Sequence, residues 1–161
     1  MERTGLSIAG GILLILASIL TGIGGIGFAV AGHAEKLMEY AAEHSEQFTP
    51  EQLQKLEEAR KKFESDPEAK KMLPKLRSYG YFEIAAGLVG FVGGIGLLTA
   101  TAFGRTSGAL GAVLGVVTCL WAMALFGVSA VIVQGLFLIL FLIALWGALS
   151  LKPGEATGGP P

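Results

Sequence analysis

Charge, cysteine and aspartate are the scarce parts of this sequence. Only 16% of its 161 residues are Asp, Glu, Lys or Arg, against about 25% in ordinary soluble domains. The formal net charge is −1. A nucleic-acid backbone finds no attraction in that balance, so no nucleic-acid partner is expected. A single cysteine, Cys119, excludes an intrachain disulfide, and so leaves the redox compartment open. The two histidines, His33 and His44, form neither HExxH nor a cysteine-supported zinc set, so no metal is expected. Asp66 is the only aspartate, and any Ser/His/Asp site would have to recruit it from a charged stretch. GxSxG and Walker motifs are absent. Cys119 lies among apolar neighbours, a setting that leaves a thiol inert. Without a nucleophile, a base or an oxyanion site, the chain reads as a non-enzyme with no catalytic residue and no cofactor.

What the sequence does have is apolar length and glycine. Hydrophobic residues make up 52% of it and glycine 24 of 161 positions, a mixture common in membrane helices. Ile84 to Ala102, IAAGLVGFVGGIGLLTATA, is apolar throughout and uncharged. At 1.5 Å per residue it is about long enough to cross a ~30 Å hydrocarbon core. In water its five glycines, Gly87, Gly90, Gly93, Gly94 and Gly96, would each weaken a helix by roughly 1 kcal/mol relative to alanine. In lipid the backbone must bond to itself, so the helix persists. Ala86, Gly90 and Gly94 recur every four residues and form a smooth strip where another helix can come close.

Three further runs have spanning length. The spans are placed at about residues 6–31, 84–102, 109–126 and 130–150, with FGRTSG at Phe103–Gly108 as the turn between the second and third. A cleaved signal peptide competes for the first run, because Ala29-Val30-Ala31 has a cleavage-site shape. The run is longer than the roughly 7–15 residues of a signal core, and Arg3 is its only basic leader. Gly22–Gly27, GIGGIG, matches G-x-G-x-x-G, but inside an apolar run of spanning length. Close helix packing explains it better than a nucleotide. Gly24 and Gly25 on the first span, Ala86, Gly90 and Gly94 on the second, and Gly111 and Gly115 on the third are the expected helix-packing positions. The fourth span is bulkier and should face lipid, with Trp146 near its end at headgroup level.

Residues 33–79 differ in kind and hold most of the charge. Thr49-Pro50-Glu51-Gln52 has the spacing of a capping box with proline at the first helical position. Asp66 should cap a further short helix that Pro74 ends or kinks. The expected fold is therefore all-α: an integral membrane four-helix bundle with a water-exposed helical hairpin between its first and second spans. Pairs such as Glu51–Lys55 and Glu57–Lys61 belong to a solvated face. Lys36, Lys70, Lys71, Lys75 and Arg77 outnumber Arg3, Arg105 and Lys152 near the span ends. That bias places the hairpin in the cytoplasm, in a plasma or inner membrane. The Gly/Pro tail Pro153–Pro161 should be disordered.

Intramembrane polar groups are costly, which makes them the first candidates for function. Glu83, His33 and Gln134 are the candidate polar site, all expected on the hairpin side. Glu83 is expected to snorkel to the headgroups, and Ser18, Thr21, Thr99, Thr101 and Thr118 to bond their own helix backbones. The partners expected are the bilayer and either other membrane subunits or further copies of the chain. The function expected is a non-catalytic structural or accessory subunit. The alternative is a small homo-oligomeric channel or transporter with Glu83 at the membrane interface.

Overall fold

The computed structural model describes residues 4–151. Arg3, Lys152 and the Gly/Pro tail lie outside the described residues. The described chain is all-helical: α1 Gly5–Ala31, α2 Ala34–Glu43, α3 Pro50–Ser65, α4 Pro67–Thr99, α5 Ala102–Phe126 and α6 Val128–Leu149, with one 3₁₀ turn at Ser45–Gln47. Four of these, α1, α4, α5 and α6, are long and apolar enough to cross a membrane. Their 27, 33, 25 and 22 residues all exceed the ~20 that a hydrocarbon core requires. The chain divides into two compact units. One holds the residues up to Gly24 and from Phe82 onward; the other is Gly25–Tyr81.

In the first unit, α1 packs on α4 and α6, α4 packs on α5, and α5 packs on α6. Its core joins Leu14 and Ala17 to Leu97, Ala112, Cys119, Phe141, Ala144 and Ala148. Most of these are small, so the helices approach through backbone rather than through interlocked large side chains. The reversal between α4 and α5 sits at Ala100 and Thr101, not at FGRTSG. Ala100 takes a left-handed φ of 54°, and Thr101 caps α5 by accepting the Gly104 N–H at 2.9 Å. Phe103–Gly108 is consequently the first part of α5. Its glycines serve packing: a Cβ on Gly104 would run into the Gly96 carbonyl, and one on Gly108 would lie 2.6 Å from Leu97 Cγ. Glycine demanded by a close helix crossing looks, in sequence, like glycine demanded by a turn. The α5–α6 reversal does need conformational freedom. Gly127 has φ 65° and ψ −149°, a region open essentially to glycine alone.

In the second unit, the end of α1 meets the start of α4. Gly80 lies against the backbone of Ala29, Gly32 lies against the backbone of Arg77, and the Phe28 and Tyr79 rings meet edge to face at 5.2 Å. Helix α3 begins as its spacing predicts. The Thr49 N–H donates to Gln52 Oε1 at 2.9 Å, and the Gln52 N–H returns to Thr49 Oγ1 at 3.4 Å. Asp66 Oδ1 accepts from the Glu68 and Ala69 N–H groups at 2.9 and 3.1 Å, which starts α4. The short helix expected there does not stop at Pro74, because α4 runs on to Thr99 as one piece. Pro74 and Lys70 are both exposed, so the ring and the carbonyl deprived of a donor face outward. Leu73, Tyr79 and Gly80 are buried, and that burial outweighs the lost hydrogen bond.

Candidate functional site

Glu83 begins the part of α4 that belongs to the first unit. It does not snorkel: the residue is 5% exposed. Its carboxylate lies over Gly24 of α1, where an added Cβ would be 3.6 Å from Oε2. Phe82 next to it packs on Trp121 of α5, with ring centroids 5.4 Å apart. A charge-bearing group enclosed by apolar helices can hold a proton or offer oxygen to a cation, and such groups are rare in spanning segments for reasons of cost. Among the described residues the other buried polar residues of this unit are hydroxyls: Ser7, Ser18, Thr21 and Thr118. Thr118 and Thr99 donate to their own helices, to Leu114 O at 2.8 Å and to Gly96 O at 3.0 Å. Ser7 bonds Thr4, while Thr101 serves as a cap instead. Ser18 Oγ, buried against Gly90, makes no hydrogen bond among the described residues.

Gln134 also belongs to the first unit, half-buried on α6. Its amide makes no hydrogen bond among the described residues. His33 belongs to the second unit. Its Nδ1 donates to Ala29 O at 2.8 Å, satisfying a carbonyl at the end of α1, and its ring faces Tyr81 at 6.1 Å. With Nδ1 so engaged, Nε2 is the nitrogen left for any acid–base role. Among the described residues no group of three or more His, Cys, Asp or Glu side chains could hold a metal ion.

The glycine positions separate by geometry. A Cβ at Gly94 would lie 2.6 Å from Ile15 Cγ1 and 2.9 Å from Gly11 O of α1. One at Gly111 would lie 2.6 Å from Gly90 Cα of α4, and one at Gly90 would collide with Ser18 Oγ. At Gly115 the collision is with the Phe141 ring of α6. Ala86 is buried on α4. Gly25 is buried in the second unit, its carbonyl oxygen 2.7 Å from where a Gly80 Cβ would stand. Gly24 has only the ordinary contact with Glu83. Sequence reasoning missed the crossing of α1 and α6, where Gly10 and Gly147 meet and a Gly10 Cβ would lie 3.0 Å from Gly147 Cα. The fourth span is poor in glycine, and Gly135 and Gly147 lie too far apart to give a repeat to notice. Also missed was a crevice in the second unit between α2 and α3.

On α3 the exposed Arg60 guanidinium and Glu64 carboxylate bond at 2.8 Å. The hydrogen bond and the opposite charge hold Glu64 below its ordinary range and Arg60 above its own. The Glu64 contribution to α3 is therefore present above the unfolded carboxylate range and fades as acid protonates it. No known family, curated protein or solved structure matches this chain.

Proposed function

We propose that this chain is a non-catalytic integral membrane protein, a structural or accessory subunit that packs through its glycine-rich helices. In this reading α1, α4, α5 and α6 form the membrane four-helix bundle. Residues 33–79 form a helical hairpin on the cytoplasmic side of a plasma or inner membrane. The observation that carries it is how the interior of the first unit is filled. Backbone approaches backbone at Gly93 and Ser107, at Gly96 and Gly104, and at Gly90 and Gly111, which leaves no lumen along those crossings. Among the described residues the buried polar groups Ser18, Thr21 and Glu83 gather within about two turns of α1, and Ser7 lies about three turns away, so they do not form a continuous stripe of the kind that lines a path for a solute. The exposed apolar side chains of α6, among them Val128, Ile132, Leu136 and Trp146, suit lipid or a neighbouring span. Purification in mild detergent with measurement of particle mass tests the proposal. Foreign membrane subunits in fixed stoichiometry are the expected result. A particle built of this chain alone, in a closed oligomer, would overturn it.

The burial of Glu83 supports a second reading, a small proton- or cation-coupled transporter. Liposome flux under a pH gradient separates the two. The subunit reading expects wild type and Glu83→Gln to conduct equally little. Flux in wild type that Glu83→Gln abolishes, with the fold retained, would establish the second reading.

A further inference from the structure

The second unit contains a crevice of about 620 Å³ walled by α2 and α3, with Lys70 of α4 at its edge. Its apolar lining comes from Met38 and Ala42 of α2 and Phe63 of α3. Along its α2 wall run Glu35, Glu39 and Glu43, four residues apart. At 1.5 Å per residue their carboxylates follow one another about 6 Å apart on one helix face. The two helices treat their acids differently. On α3 three of the four acids have partners one turn away, Glu51 with Lys55 at 2.7 Å, Glu57 with Lys61 at 3.2 Å and Glu64 with Arg60 at 2.8 Å, while Glu58 makes no ion pair among the described residues. On α2 the three acids make no ion pair among the described residues, and like charges at that spacing repel. The α2 wall sets three carboxylates at helical spacing beside part-exposed apolar side chains, with Arg60 across the crevice close enough for its charge and that of Glu39 to act on each other.

We propose that this crevice docks a basic amphipathic helix of a partner protein, which lays Lys or Arg one turn apart along Glu35, Glu39 and Glu43. Charge complementarity selects the cations, and the spacing selects a helix, whose own side chains recur at i and i+4. Met38 in the lining suits the purpose, because its flexible thioether adapts to whichever apolar side chain enters. The volume admits a few side chains and not a whole helix, so the partner lies across the mouth and inserts its apolar residues between its cations. Arg60 is held by Glu64 on the opposite wall. Its positive charge, which Glu39 also feels, stands on the α3 side and turns the partner's basic face toward α2. This docking rests on the accessory-subunit reading and gives the partner its chemistry.

The test uses the full chain in zwitterionic nanodiscs, with empty nanodiscs as background. The probe is a labelled synthetic amphipathic helix with lysine at every fourth position and leucine beside it, followed by anisotropy at physiological salt. Saturable binding is expected. It should weaken by roughly tenfold or more in Glu35→Gln/Glu39→Gln/Glu43→Gln, and also in Met38→Ser, which leaves the charge unchanged. It should persist in Glu46→Gln/Glu58→Gln/Glu68→Gln, which removes the same charge outside the crevice. Equal weakening by that third variant, indifference to Met38→Ser, or equal binding of a peptide with glutamate in place of lysine would each overturn the docking. Co-purification of foreign subunits is read separately, so the docking can fail while the accessory role stands.

Discussion

Replacing Gly111 by alanine is expected to cost the first unit about 1–3 kcal/mol, and replacing it by leucine more. The new Cβ would stand 2.6 Å from Gly90 Cα, 3.0 Å from Gly90 N and 3.3 Å from the Val89 carbonyl carbon. All three are backbone atoms of α4, so relief requires the two helices to part. Parting them uncovers Ala112 and Cys119, which are fully or almost fully buried. Gly90 makes a useful contrast. The atom that its Cβ would strike is Ser18 Oγ, which can rotate about one bond. Gly90→Ala should therefore be milder than Gly111→Ala, although the two positions look equivalent on their strips. Gly24→Ala should be neutral or slightly stabilising, since its only close neighbour is at 3.6 Å and alanine is the better helix former. Melting temperatures in mild detergent check the order. If Gly111→Leu melts with wild type, close helix approach does not hold this unit together.

The second large effect is expected at Gly80. A Cβ there would run into the Ala29 backbone nitrogen, and would stand 2.7 Å from Gly25 O and 2.9 Å from Ala29 Cα. Alanine gains up to about 1 kcal/mol in helix propensity at such a site, and overpacking against rigid backbone costs about 1–3 kcal/mol. The net is destabilising, and leucine is worse. The loss should centre on the second unit, because Phe28, Ala29 and Tyr79 are packed at the same crossing. Hydrogen exchange on Gly80→Leu should show α2 and α3 losing protection while α5 and α6 keep theirs. Gly27→Ala is the matched control, because nothing lies within 4 Å of its Cβ position. Unchanged exchange in Gly80→Leu would show that this crossing does not organise the unit.

Much of the architecture follows from the sequence alone. Hydropathy over ~20 residues and the 3.6-residue period are local properties, so four helices of spanning length and the intervening charged helices can be read without neighbours. The start of α3 is equally local, since Thr49, Pro50 and Gln52 satisfy the first turn among themselves. The tertiary structure decided what depends on neighbours. Pro74 could have ended a helix; burial of the face carrying Leu73, Tyr79 and Gly80 carries α4 past it. FGRTSG could have been a turn; Gly96 across the crossing makes Gly104 a helical residue, and Thr101 starts the helix instead. Glu83 could have reached the headgroups; the gap left by Gly24 encloses it. The glycines rank by what faces them, backbone at Gly111, a rotatable hydroxyl at Gly90 and almost nothing at Gly24. A sequence records that a side chain is missing, and only the packed fold shows what occupies the space it leaves.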